Sequence, residues 1–147
     1  MHQNMKNFYD QQDTNLNVRV TLSPIKDKDF PDILLKINTV ALHEGILTES
    51  TVFKQQWPLM NIFKISLELK NKNYKSSSNT AVSIDSLKID DFDIVPNWTQ
   101  LALYKNDSNV TTPTNYLGFN GMWSLEITEP FYRWQHKIKG QGWLLKP

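Results

Sequence analysis

The chain has 147 residues and a formal charge of +1, from 16 basic and 15 acidic residues. A domain of this length can bury a substantial core, and the small net charge excludes the strong basic field of proteins that coat nucleic acid or an anionic membrane. The absence of cysteine excludes disulfides, thiolate metal sites and cysteine nucleophiles.

The composition favours strands over helices. Alanine, the best helix former, occurs only at Ala41, Ala81 and Ala102, whereas the chain holds 5 Trp, 5 Tyr and 7 Phe. We therefore expect an all-β domain of short antiparallel strands joined by polar loops.

The N-terminal segment, residues 1–15, is polar and has no apolar period, so we expect a loose arm that precedes a single domain over residues 16–147. The segment also lacks the apolar core of a signal peptide, and no apolar run approaches the roughly 20 residues of a membrane span. We expect neither secretion by that route nor a membrane partner.

Alternating apolar residues predict the first strands. Asn17 to Leu22 alternates with period two, and Ile33 to Val40 reads as one further strand, with Gly45 as a turn after it. Pro58 limits any helix between Phe53 and Met60 to a short one.

The clearest strand is Ile62 to Lys70, with Phe63, Ile65, Leu67 and Leu69 on one face. A serine-rich mobile loop is expected at residues 71–79. Ala81 to Ile89 resumes the strand pattern and slips by one residue at Ser86-Leu87, which predicts a β-bulge.

The last fifty residues read as short strands separated by turns. The turns are predicted at residues 106–113, at Asn120-Gly121, which is a strong hairpin signal, and at residues 140–142. With about eight to ten strands in total, the sequence predicts an antiparallel two-sheet sandwich of the jelly-roll type. The predicted strands are Trp98 to Tyr104, Tyr116 to Phe119, Met122 to Ile127, Phe131 to Ile138 and Trp143 to Leu145.

Motifs for catalysis are missing from the sequence. The three histidines are far apart without a metal-binding spacing, and there is no GxSxG, P-loop or dinucleotide-binding glycine pattern. We expect a protein that is not an enzyme and that needs no cofactor.

The acidic segment around residues 85–93 has three interpretations. Asp91 and Asp93 share one side of an extended strand and could bind structural calcium, which prefers carboxylate oxygens. A pair of these carboxylates could also serve a small glycoside hydrolase as acid and base. We favour the third interpretation, a solvated strand edge on which charges discourage aggregation.

The aromatic residues of the C-terminal third are the most distinctive feature. Exposed aromatic faces stack on sugar rings, and neighbouring polar groups then bind hydroxyls. Core packing is the competing interpretation, since tryptophans in a small sandwich are most often buried. The candidate ligand-binding residues are Trp98, Tyr116, Asn120, Trp123, Arg133 and Trp134.

Residues 81–147 resemble small virion structural proteins of tailed bacteriophages, and also the jelly-roll carbohydrate-binding domains of phage fibres and of glycoside-hydrolase accessory modules. The resemblance lies in the aromatic residues, Asn120-Gly121 and the closing Gly140-Gln141-Gly142-Trp143. It implies a component of the neck, tail, fibre or capsid surface, made in the host cytoplasm and located in the virion. The implied partners are other virion proteins and further copies of the chain, with a cell-surface glycan as another and no nucleic acid.

We therefore rank three functions. A non-catalytic virion structural protein that acts by protein–protein contact comes first. A carbohydrate-binding module that uses its C-terminal aromatic residues comes second, and a small glycoside hydrolase is a distant third.

Overall fold

The computed structural model describes residues 15–59, 61–71, 79–106 and 111–145, the last five of these by their backbone alone. Within these residues, eleven strands form two antiparallel sheets, and one α-helix follows the last strand. The predicted all-β, two-sheet architecture is confirmed. Residues 1–14 of the predicted arm lie outside the described residues, and Asn15 is the first residue of the first strand.

The elements follow one another in this order along the chain: β1 (Asn15–Ile25), β2 (Asp32–Ile37), β3 (Val40–Ile46), β4 (Thr51–Pro58), β5 (Phe63–Leu69), β6 (Ala81–Ile89), β7 (Phe92–Val95), a 3-10 helix (Thr99–Leu101), β8 (Leu103–Asn106), β9 (Thr111–Thr112), β10 (Tyr116–Leu117), β11 (Gly121–Ile127) and α1 (Phe131–Leu145).

The first sheet has the order β10-β6-β1-β4, with β7 also paired to β6. Its central strand β1 buries Val18, Val20 and Leu22, whereas Arg19 between them is exposed and Thr21 half-buried, as the alternation predicts. In the ladder between β1 and β6, Thr21 pairs with Ser86 and Leu22 with Ile84. Asp85 is therefore the extra residue of a β-bulge, one position before the predicted slip.

The second sheet has the order β3-β2-β5-β11-β8-β9. Strand β5 lies between β2 and β11, and its predicted inward residues Phe63, Ile65, Leu67 and Leu69 are all buried. The inward residues of both sheets form one apolar core between them. Burial of each large apolar side chain contributes about 1.5–3 kcal/mol, which makes this core the main stabilising term.

Two predictions for the first half of the chain are wrong. Ile33 to Val40 is not one strand, because Asn38 adopts a positive φ of 52° and turns the chain from β2 into β3. The backbone N–H of Asn38 donates to Lys64 O (2.8 Å), and the backbone N–H of Lys64 donates to Asn38 Oδ1 (2.9 Å). Gly45 lies within β3, and residues 51–58 form strand β4 with Pro58 at its end.

The C-terminal strands predicted at Phe131 to Ile138 and Trp143 to Leu145 are also wrong, as is the turn at residues 140–142. These residues belong to α1, in which Phe131 and Trp134 are buried and Ile138 packs against the same core. This spacing of three and four residues is that of a helix face. Pro130 precedes the helix, and its carbonyl accepts the first helical hydrogen bond, from Trp134 N (3.0 Å). In the part of the chain that the structure describes, no helix has the length and apolar character needed to span a membrane.

Two glycines provide a matched test of this fold. A Cβ at Gly121 would lie 2.3 Å from Lys105 O, whereas a Cβ at Gly140 in α1 would meet nothing within 4 Å. We expect Gly121→Ala to separate β11 from β8 and lower the free energy of unfolding by about 1–3 kcal/mol. Gly140→Ala should raise it by about 0.5–1 kcal/mol, since glycine disfavours a helix interior. Urea unfolding measures both, and a destabilised Gly140→Ala variant would contradict the helix.

Candidate functional site

The three tryptophans predicted to bind a ligand lie in the apolar core or pack against it. Trp123 is 1% exposed and Trp134 is 5% exposed, so neither indole offers a face to a ligand. Trp98 is half-buried and packs against Phe92, with ring centroids 6.0 Å apart. For Trp123 and Trp134 the ligand-stacking prediction is therefore wrong, because the two sheets and the helix enclose both rings.

The other predicted ligand residues lie apart from one another. Tyr116 is 48% exposed, and Phe119, an aromatic residue outside the predicted ligand set, is 53% exposed three residues later. Asn120 follows Phe119 and is half-buried. Arg133 is exposed on α1, where it pairs with Glu129 (3.6 Å). Of the six predicted residues, Tyr116 alone is in the cleft described next.

Tyr116 and Phe119 border an open cleft of about 350 Å³. Tyrosine and phenylalanine rings form its apolar surface, and hydroxyl and amide side chains supply its polar groups. The lining residues are Tyr104, Asn106, Thr112, Thr114, Tyr116, Gly118 and Phe119. The cleft therefore lies at β8 and β9 and beneath the segment that joins β9 to β11.

Residues 111–121 cross from one sheet to the other and back. Strand β9 pairs with β8 in the second sheet, β10 pairs with β6 in the first, and β11 returns to the second. The hairpin predicted at Asn120-Gly121 is therefore wrong, since the strands on its two sides belong to different sheets. We call residues 113–120 the crossover segment.

Trp123 holds the start of the crossover segment from inside the core. Its Nε1 donates a hydrogen bond to Thr114 O (2.8 Å). Thr114 Oγ1 in turn accepts a hydrogen bond from Tyr116 N (3.1 Å). A buried indole donor thus fixes the backbone on which the exposed Tyr116 ring is carried.

Further hydrogen bonds attach the crossover segment to each sheet. Asn115 Nδ2 donates to Ile84 O (3.0 Å), and Ile84 N donates to Asn115 O (2.8 Å), which joins the segment to the bulged part of β6. On the other side, Phe119 N donates to Tyr104 Oη (3.1 Å), and Tyr104 belongs to β8. The segment is therefore anchored to both sheets.

Gly118 allows the tyrosine ring to lie against the crossover backbone. A Cβ at this position would lie 2.9 Å from Tyr116 Cε1. A larger residue at this position would push the Tyr116 ring from its place in the cleft lining. The cleft therefore presents two partly exposed aromatic rings on an anchored backbone, next to hydroxyl and amide groups, and this combination suits stacking and hydrogen bonding to a sugar.

The acidic segment has a mainly structural role. Asp90, with φ of 52°, occupies the turn between β6 and β7. Its Oδ1 accepts from Asn17 N (2.8 Å), and its Oδ2 accepts from Tyr132 OH (2.6 Å). Asp93 pairs with Lys88 (3.5 Å) on the neighbouring strand. Asp90 thus ties β1, this turn and α1 together.

The predicted calcium ligands do not form a recognisable site. Asp91 lies in the turn before β7 and Asp93 within that strand, so the shared extended segment on which the prediction depended is not present. Among the described residues, no three histidine, aspartate or glutamate side chains are grouped as metal ligands. Asp85 also accepts hydrogen bonds from Ser83 (2.8 Å) and from Ser23. The described residues of the acidic segment therefore do not fit a calcium ion, which takes six to eight oxygen ligands.

Comparison with known proteins supports the fold. No family model matches the chain, and no curated relative is found by sequence. The carbohydrate-binding module vCBM60, in its selenomethionine form, superposes with a TM-score of 0.52 and 10% identity over 76% of this chain and 90% of that one. The same module in complex with galactobiose gives a TM-score of 0.50 and 11% identity over 75% of this chain and 97% of that one.

These likenesses show a β-sandwich of the kind used by carbohydrate-binding modules. The first structure is described as linking two families of calcium-dependent modules by circular permutation. At 10% and 11% identity, both likenesses bear on the fold alone. Neither is described as a phage protein, so the virion role, the virion location and self-association stay predictions.

The indole N–H groups of Trp123 and Trp57 allow a matched test of the anchor, by which we mean the hydrogen bond from Trp123 to Thr114 O. Trp57 Nε1 is buried without a hydrogen-bond partner among the described residues. Trp123→Phe removes the bond to Thr114 O and should cost about 1–3 kcal/mol of unfolding free energy beyond the effect of the smaller ring. Trp57→Phe removes no bond and should cost less. Hydrogen exchange should also become faster across residues 115–119 in the Trp123 variant alone; equal exchange in both variants would contradict the anchor.

Proposed function

We propose that this chain is a non-catalytic carbohydrate-binding module that holds a neutral glycan in the cleft between Tyr116 and Phe119. The observation that carries the proposal is the pair of half-exposed rings on a segment anchored to both sheets. Aromatic side chains are costly to leave in water, and a ring held in place by its backbone is available for stacking.

The rigidity of the crossover segment favours binding. A flexible loop would lose conformational entropy when it closed on a sugar, and that loss would weaken the affinity. Here the Trp123–Thr114 and Asn115–Ile84 hydrogen bonds fix the backbone before any ligand arrives. The side chains of Thr112 and Asn106 lie in the same cleft and can bond to the hydroxyl groups of a stacked ring.

Two further findings support this function over the others. The solved neighbours are carbohydrate-binding modules, one of them in complex with galactobiose, which makes galactobiose the first probe. Among the described residues, the cleft lining has neither a carboxylate nor a histidine, so that part of the chain offers no acid–base pair for glycoside hydrolysis there.

Substitutions at Tyr116 test the stacking contact. Tyr116→Leu keeps an apolar side chain but removes the ring, and we expect the affinity for the bound glycan to fall by about 2- to 10-fold, the range given by one aromatic contact. Tyr116→Phe keeps the ring and should retain most of the affinity. Isothermal titration calorimetry with galactobiose, followed by a panel of neutral oligosaccharides, measures the effect.

The control is Ile62→Ala, which alters a 61% exposed apolar residue that does not line the cleft. Its affinity should equal that of the wild type. Equal glycan affinities of the Tyr116→Leu and Ile62→Ala variants would show that the cleft does not bind the glycan. Failure of the wild type to bind any neutral glycan of the panel would contradict the proposal as well.

The chemistry of the cleft also predicts how binding responds to chelation. The polar groups of the lining are hydroxyls and an amide, whereas calcium sites depend on carboxylates. We expect the glycan affinity to stay the same after dialysis against EDTA. A loss of affinity that added calcium restores would place the glycan on a calcium ion outside this cleft.

A further inference from the structure

Three cationic side chains lie side by side on the outer face of the first sheet. Arg19 of β1 pairs in register with Lys54 of β4 on one side and with Lys88 of β6 on the other. Directly opposite residues of antiparallel strands share one face, and neighbouring strands are about 4.7–4.9 Å apart. We call Arg19, Lys54 and Lys88 the basic row.

The arrangement of the basic row disfavours folding by itself. Like charges directly opposite each other on adjacent strands are destabilising. Lys88 has a counter-ion in Asp93 (3.5 Å). In the structure as described, the side chains of Arg19 and Lys54 make neither a hydrogen bond nor an ion pair, and both residues are exposed. Two adjacent cations, with no ion pair to a described residue, therefore face solvent and can receive negative charge from a ligand.

Amide side chains continue this face beside the basic row. Asn17, two residues before Arg19, pairs with Gln56, and both are exposed. Two shallow depressions, of about 270 and 440 Å³, flank the Arg19 side chain and share Asn17 and Arg19 as lining residues. Tyr132 closes the larger depression at the helix end. Charged, amide and hydroxyl groups are thus combined in two adjoining depressions across three strands, which together we call the groove.

The chemistry of the groove favours an anionic glycan over a nucleic acid. The guanidinium of arginine presents a planar fork that bonds a carboxylate or sulfate through two hydrogen bonds. Single-stranded nucleic acid needs several stacking platforms along a strongly basic track, and Tyr132 is the one aromatic residue that the described part of the chain gives to the groove lining. Asp90 and Asp91 at one end of the groove also limit how much negative charge it accepts.

We propose that the outer face of the first sheet is a second glycan-binding surface, which takes a carboxylated or sulfated glycan with Arg19 as its central contact. The amides of Asn17 and Gln56 bond to the hydroxyl groups beside the anionic group. The choice of a glycan as the carrier of the charge rests on the proposed function. The surface itself is separate from the cleft at Tyr116 and shares no residue with it.

The test uses the full chain with three immobilised polymers: polygalacturonate, a sulfated galactan and a neutral galactan. We expect Arg19→Gln to weaken binding to the preferred anionic polymer by at least about tenfold, the effect of losing one charged, two-pronged contact. Arg19→Lys keeps the charge without the fork and should lose part of the affinity. The matched control is Arg133→Gln, which removes an exposed arginine on α1 that already pairs with Glu129.

The outcomes separate this proposal from the proposed function. Arg19→Gln should leave neutral-galactan binding unchanged, and Tyr116→Leu should leave binding through the basic row unchanged. The two anionic polymers distinguish carboxylate from sulfate as the recognised group. The proposal is overturned if Arg19→Gln and Arg133→Gln weaken anionic binding equally, if neither anionic polymer binds, or if an oligonucleotide of equal charge competes as well as the glycan does.

Discussion

The attachment of residues 113–120 to both sheets at once is the constraint on which the candidate site depends. Trp123 reaches this segment from the core, Asn115 ties it to β6, and the amide of Phe119 ties it to Tyr104 of β8. A surface loop with exposed aromatic rings would ordinarily collapse onto the nearest apolar surface. Here the hydrogen bonds fix the backbone, so the rings of Tyr116 and Phe119 stay partly in solvent. Stacking on a ligand is the physical use that such rings offer.

The strands that the sequence predicts correctly are those in which the period of the apolar residues agrees with the pattern of buried residues. In β1 the alternating apolar residues are the buried ones, and in β5 the four predicted inward residues are all buried, together with the polar Ser66; both strands lie where they are expected. At Phe131 to Ile138 the apolar residues fit period two and period 3.6 alike, and Gly140 and Gly142 weaken a helical interpretation. The decision depends on tertiary contacts: Phe131 and Trp134 pack against Phe92 of β7, which the local sequence does not indicate.

The candidate site is predictable in part for a similar reason. Tyr116 is identified from its aromatic character, but Trp123 has the same character and is buried, because its strand β11 lies between β5 and β8. Strand order within a sheet comes from pairings between residues far apart in sequence. The Asn120-Gly121 dipeptide illustrates this, since it looks like a hairpin and instead joins two sheets. Its neighbour Phe119 becomes a candidate only when the pairing of β10 with β6 is known.

The sandwich carries a cleft lined by aromatic rings and, separately, a polar and basic sheet face. Contact between the crossover segment and the glycan is tested most directly by amide chemical-shift mapping of the full chain, titrated with its best-bound neutral oligosaccharide. The account predicts saturable shifts at residues 104–106 and 111–120, the parts of the chain that build the cleft. Shifts confined to β1, β4 and α1, with the crossover segment unchanged at saturation, would contradict it.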